Sequence, residues 1–214
     1  MSDSQRKLLK ALIVGKPNVG KSTLLNSLVG EKVSIVSRKA QTTQKNTTGV
    51  ITKDNSQLIF FDTPGLNKIE KNIRIYETFK TVAENVDVLI YMVDNTKKSQ
   101  SIDDQFRNWL NNNENKFRKK ILIINKVDCI EKVNLFEITK KINGVINFDE
   151  TFFISLSKKS GMERFLNWVE KQAYSNEWLF QQTYKSNISK KNFLSELTRA
   201  VSYTHLRAHE TVLH

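Results

Sequence analysis

Residues 15–22 read Gly-Lys-Pro-Asn-Val-Gly-Lys-Ser, two glycines with a lysine and a hydroxyl directly behind the second. Glycines permit a tight path in which backbone N–H groups converge, and the resulting concavity suits a chain of phosphates. A lysine at position 21 can reach the outer phosphates, and a serine hydroxyl at 22 can give an oxygen to Mg²⁺. Gly15, Asn18, Val19, Gly20, Lys21, Ser22 and Thr23 are therefore the candidate phosphate-side residues. A second stretch, Asp62, Thr63, Pro64 and Gly65, offers a carboxylate to the Mg²⁺ shell through a water and an amide at Gly65 to a terminal phosphate. The only two prolines of the chain, Pro17 and Pro64, fall inside these two stretches.

A third group, Asn125, Lys126, Val127 and Asp128, bears on the base. The Asp128 carboxylate can accept two hydrogen bonds, from the N1–H and the exocyclic amine of guanine. Adenine has neither donor there, and buried polar groups left unpaired allow rejection by ~10⁴–10⁵-fold. Asn125 would brace the loop and meet the ring, with the stem of Lys126 across its face. Cys129 beside it is an incidental neighbour. As the only cysteine of the chain, it excludes an intrachain disulfide.

Positioning these groups requires a regular frame. "LLKALIVG" reads as a buried strand entering the first loop, and "KSTLLNSLVG" as a helix closed by Gly30. "GVITKD" and "QLIFFD", separated by "NS", predict a hairpin. Then helices and strands alternate: Phe79, Val82, Ala83 and Val86; "DVLIYMVD"; Phe106, Trp109 and Leu110; "KKILIIN"; Leu135, Ile138 and Ile142; "ETFFISLS"; and finally Met162, Phe165, Leu166, Val169 and Ala173. Strands that are continuously apolar, separated by helices, predict an α/β fold with a mostly parallel sheet covered on both faces.

The chain has 214 residues, with 34 Lys+Arg against 22 Asp+Glu. That excess fits a polyanionic partner, nucleic acid or an anionic membrane surface. It also fits a Lys- and Asn-heavy composition with no such meaning. The start, "MSDSQRKLLK", lacks the apolar run of a secretory signal, and no stretch approaches the ~20 apolar residues of a membrane span. A cytoplasmic protein is expected, with peripheral membrane association as an alternative. Residues 176–192 are polar and read as a linker, and "NFLSELTRA" begins something helical. The last fourteen residues, 201–214, hold all three histidines and no lysine or asparagine. That break in composition marks them as a non-native tail.

Taken in order, GKPNVGKS, DTPG and NKVD resemble the translation-factor-related GTPases. "SRKAQTTQKNTTG" and "SLS" before "KKSG" narrow the resemblance to the Era family, bacterial GTPases of small-ribosomal-subunit assembly. The resemblance implies a P-loop GTPase (Ras-like) domain over residues 1–175. It also implies a KH domain, of which only the start at 193–200 is present, because no G-x-x-G follows. It implies GTP and GDP with Mg²⁺, and a small-subunit ribosomal RNA and ribosomal subunit as partners of the full-length protein. By the same resemblance Thr43 completes the Mg²⁺ shell, Lys21, Thr43 and Gly65 serve hydrolysis, and the Ser155–Leu156 backbone meets the guanine O6. Leu156 stands where the family usually has alanine. Leu66 occupies the place of the water-positioning glutamine of Ras-like enzymes, so slow turnover is expected. Related GTPases hold K⁺ with a phosphate-loop asparagine, and Asn18 matches that position; otherwise Asn18 only shapes the loop. Two other readings fit the same residues: a nucleotide-gated binding module with little turnover, and a sibling GTPase of tRNA modification.

Overall fold

The computed structural model describes residues 5–31, 47–64, 73–96, 100–102, 104–113 and 116–186. Among these residues seven strands form one sheet: β1 (Lys7–Gly15), β2 (Thr47–Lys53), β3 (Ser56–Asp62), β4 (Val88–Val93), β5 (Lys119–Ile124), β6 (Glu150–Phe153) and β7 (Tyr174–Ser175). The order is β2-β3-β1-β4-β5-β6, parallel throughout except for the antiparallel edge strand β2, while the short β7 pairs antiparallel with β1. Among the described residues five helices cover the sheet: α1 (Lys21–Val29), α2 (Ile73–Ala83), α3 (Asp104–Asn112), α4 (Lys132–Asn143) and α5 (Met162–Gln172).

The two faces are separate cores. On one, Leu24, Leu25 and Leu28 of α1 and Phe165 and Val169 of α5 pack on Leu9, Ala11 and Ile13 of β1. On the other, Phe79, Phe106, Leu110, Ile138 and Ile142 from α2, α3 and α4 pack on Leu12 and Val14 of the same strand. Because successive side chains of a strand point to opposite faces, β1 must be apolar at nearly every position. It is the strand on which both layers rest.

This topology decides where a ligand can sit. The chain leaves β1 for α1 on one face, whereas α2 lies on the other. Such a reversal opens a crevice beyond the carboxyl ends of the strands. Gly15 and Asp62 end β1 and β3, and Asn125 and Ser155 follow β5 and β6, so all four stand at those ends.

Most of the expected elements form as their periodicity requires. Gly30 closes α1 in the left-handed conformation (φ 74°), its N–H donating to the Asn26 carbonyl. In the β2–β3 hairpin the turn falls on Asp54 and Asn55, one residue earlier than expected. Asp54 supplies the positive φ of 52° that a two-residue connection needs.

The linker expected over 176–192 is corrected in its described part. Residues 176–186 are not free but strapped across the β2–β3 hairpin. The buried side chain of Gln57 carries much of that attachment. Its Oε1 accepts from the N–H groups of Leu179 and Phe180 at 2.9 and 3.1 Å, and its Nε2 donates to the Phe180 carbonyl at 2.9 Å. Phe180 and Tyr184 stack on each other over Leu8, Val50 and Ile59. Further on, the Val50 N–H donates to the Lys185 carbonyl at 2.8 Å. A polar sequence hid this because much of the attachment is backbone and amide hydrogen bonding, and its two aromatic anchors stand in an otherwise polar run. Residues 187–214, including the expected KH start and tail, lie outside the described residues.

Replacing Gln57 with leucine deprives two strap amides of their acceptor. Gln57→Leu should lower stability by about 1–3 kcal/mol, read from the urea midpoint, and speed proteolysis within 176–186. An unchanged midpoint and an unchanged cleavage pattern would show that the strap is held elsewhere.

Candidate nucleotide site

The phosphate loop joins β1 to α1 with a backbone few residues tolerate. Gly15 has φ 156° and Gly20 has φ 110°. A side chain at Gly15 would put its Cβ 2.3 Å from the Met92 carbonyl oxygen, and one at Gly20 would reach 2.4 Å from Asn125 Nδ2. The first collision is with neighbouring sheet backbone, the second with the base-side loop. Asn18 holds φ 67°, a conformation that asparagine tolerates better than most side chains. Val19 is fully buried and Thr23 partly so. They anchor this turn to the core.

Lys21 lies inside the loop. It is buried, and its ammonium donates to the Gly15 and Lys16 carbonyls, each at 3.0 Å. Burial pulls its pKa from 10.5 down to about 8, against the opposing pull of nearby Asp62. A polyphosphate at this loop would replace lost hydration with negative charge.

Ser22 Oγ donates to Asp62 Oδ2 at 2.6 Å, joining the first turn of α1 to the end of β3. A hydroxyl and a carboxylate are hard oxygen donors of the kind Mg²⁺ takes, so this pair fits such an ion. Next to Asp62, the buried Thr63 hydroxyl donates to the Ile13 carbonyl at 2.8 Å and ties the loop to β1. Thr43 and Gly65, expected to complete this side of the site, lie outside the described residues, as does Leu66.

On the base side, Asn125 is buried and reaches in two directions. Its Nδ2 donates to the Val19 carbonyl at 2.8 Å, and its Oδ1 accepts the Leu156 N–H at 3.3 Å. One amide thus connects the loops following β1, β5 and β6. The Leu156 N–H, expected to face a base oxygen, here makes that long bond to Asn125. Lys126 has φ 62°, and its ammonium donates to the Asn18 carbonyl at 3.2 Å and pairs with Asp94.

Asp128 is exposed and held from behind by two hydroxyls. Ser155 Oγ donates to its Oδ1 at 2.6 Å and Ser157 Oγ to its Oδ2 at 3.2 Å. The Ser155 hydrogen bond is the largest influence lowering its pKa below the usual carboxylate value. Cys129 Sγ also approaches Oδ2, at 3.6 Å. Oδ1 keeps a second lone pair for a ligand, and at Oδ2 a ligand donor would have only the weak thiol of Cys129 to displace. The result is an ionised, oriented double acceptor facing solvent.

Thus phosphate-loop and base-loop residues, far apart in sequence, converge at one end of the sheet. Two contributors escaped sequence reasoning, Thr63 and Asp94. The only signal for Asp94 was an acid closing an otherwise apolar strand. Among the described residues no cluster of His, Cys, Asp and Glu offers a further metal site.

This fold and loop order define a P-loop GTPase domain. A family model described as 50S ribosome-binding GTPase matches residues 10–126. GTPase Era of Trichlorobacter lovleyi is 34% identical over 203 residues, covering 93% of this chain and 67% of that protein. GTPase Era of Sinorhizobium medicae is 31% identical over 200 residues, covering 92% of this chain and 63% of its own length. A crystal structure of Era in complex with MgGDPNP and nucleotides 1506–1542 of 16S ribosomal RNA superposes with a TM-score of 0.75 at 31% identity, covering 91% of this chain and 66% of that one. The chain belongs to the Era family of GTPases. It spans just under two thirds of the Sinorhizobium relative and of the solved Era chain.

The Lys21 environment has a consequence in pH. The unfolded lysine keeps its proton up to about 10.5, whereas the folded one sheds it near 8. In between, the unfolded chain binds more protons, so stability of the ligand-free fold rises with pH, by ~1.4 kcal/mol per unit at most. Phosphates should restore the charge. Calorimetric titration with GDP in two buffers of different ionisation enthalpy should show net proton uptake growing from pH 7 to pH 8.5. Uptake that does not grow over this range would contradict the buried, depressed lysine.

Proposed function

We propose that the chain binds GTP and GDP with Mg²⁺, hydrolyses GTP, and serves as the nucleotide switch of a protein acting in small-ribosomal-subunit assembly through ribosomal RNA. The observation that carries the nucleotide reading is the Asp128 carboxylate, oriented by Ser155 and Ser157 beside the buried Asn125. An ionised acceptor pair suits the N1–H and 2-amino donors of guanine, whereas adenine presents an acceptor at N1 and only a C–H at C2.

Gly15, Gly20 and the intervening amides would wrap the phosphates, with the start of α1 adding positive potential. Lys21 would neutralise the outer phosphates. Mg²⁺, held by Ser22, Asp62 and Thr43, would supply positive charge at the phosphate oxygens. Thr43 and Gly65 would contact the terminal phosphate group when GTP is bound. Leu66 cannot orient water, so turnover is slow. We assign the compensating charge to K⁺ near Asn18, whose position in the phosphate loop and exposure allow it. The ribosomal reading rests on family membership and on the solved Era complex with 16S ribosomal RNA. The excess of 34 basic over 22 acidic residues is consistent with an RNA partner.

Titration with Mg²⁺ present should show GDP and GTP binding far more tightly than ATP. Asp128→Asn should lose at least ~100-fold in GTP affinity and shift preference toward xanthine nucleotides, whose 2-oxo group accepts from the new amide. Equal wild-type affinity for ATP and GTP would overturn the assignment. Hydrolysis at matched ionic strength should be faster in KCl than in NaCl, and Asn18→Ala should remove the difference. Equal wild-type rates in the two salts would dismiss the ion.

A further inference from the structure

The acid that closes β4 lies outside every loop considered so far as nucleotide-binding. Asp94 is buried at 2% exposure. Its two oxygens have separate duties. Oδ1 accepts from the Thr96 N–H at 3.0 Å and from the Thr96 hydroxyl at 2.7 Å. Oδ2 pairs with the ammonium of Lys126. The Thr96 bonds stop the carboxylate from rotating, so the position of the ammonium is set by the strand end and not by the mobile lysine stem.

That ammonium has a second partner, the Asn18 carbonyl of the phosphate loop at 3.2 Å. Lys126 therefore spans from a buried acid on β4 to the loop after β1, while its own backbone sits at φ 62°, where a lysine is seldom found. Its side chain stays 41% exposed even though its charged tip is held. A long lysine side chain loses much rotamer freedom when fixed this way, and a charge-assisted bond to a buried carboxylate is what can hold it.

We propose that Asp94 is a positioning residue for guanine recognition. Its buried carboxylate fixes the Lys126 ammonium, so that the lysine clamps the phosphate loop to the base loop and lays its stem where the base ring rests. The inference depends on the guanine reading above and deepens it. In this role Asp94 is not itself a nucleotide contact and acts on the base through Lys126. The competing role is purely local, an acid that shapes the Asn95–Thr96 turn.

A double-mutant cycle on the whole chain separates the two roles, with dissociation of a fluorescent GDP analogue as the readout. Asp94→Asn should release the analogue ~10-fold faster or more, the loss expected of a charge-assisted bond. In the Lys126→Met background the same substitution should change the rate less than about twofold. Thr96→Val removes one of the two bonds that fix the carboxylate but keeps the Thr96 N–H bond and the contact to Lys126, so its effect should be much smaller than that of Asp94→Asn. An equal effect of Asp94→Asn in both backgrounds would overturn the proposal, because it would show that the acid acts without the lysine. Should Asp94→Asn fail to fold, Asp94→Ser keeps a hydroxyl acceptor for the turn and carries the same cycle to the same two outcomes. A wild-type chain that does not retain the GDP analogue would overturn the guanine reading itself, a result distinct from an intact wild type with additive mutants.

Discussion

The arrangement depends above all on one buried carboxamide. Asn125 gives a proton to the Val19 carbonyl and accepts one from the Leu156 N–H. Those two partners belong to loops that follow β1 and β6, and Asn125 itself follows β5. Three loops that would otherwise move independently are thereby held in one geometry. A carboxamide suits this place because it carries a donor and an acceptor at fixed separation, with no charge to desolvate. Close packing tightens the constraint, since even a methyl group on Gly20 would collide with Asn125 Nδ2.

Around that clamp the site separates two kinds of electrostatics. The phosphate side is buried, with a lysine whose proton is already weakened by desolvation. There a polyanion supplies the charge that water no longer offers. The base side is open, and Asp128 stays ionised because serine hydroxyls donate to it. Lys126 links the two sides from Asp94 to Asn18. The sheet makes this division workable: β1, apolar on both faces, carries the phosphate loop out from between the two cores.

Much of this was legible in the sequence, for physical reasons. A strand buried on both faces must be an unbroken apolar run, so "LLKALIVG" and "DVLIYMVD" were readable at sight. Loops that wrap phosphate or guanine need particular side chains at particular spacings, which made residues 15–22, 62–65 and 125–128 readable as well. The strap was not legible, because its attachment runs through backbone amides and Gln57, a residue type with no pattern of its own. Nor was Asp94, since its partner lies 32 residues onward and only the β4–β5 pairing brings the two loops together. Thr63 was hidden similarly, inside a motif whose flanking Asp62 and Gly65 drew the attention.

Amide hydrogen exchange of the wild type and of Asn125→Ala, both with GDP bound at saturating concentration, tests the clamp most directly. Asn125→Ala should raise exchange together in the loops spanning 16–20 and 155–160, while the β1 interior at Leu12 and Ile13 keeps its protection. Faster exchange in only one of those loops, or in neither, would contradict an account in which a single carboxamide holds both.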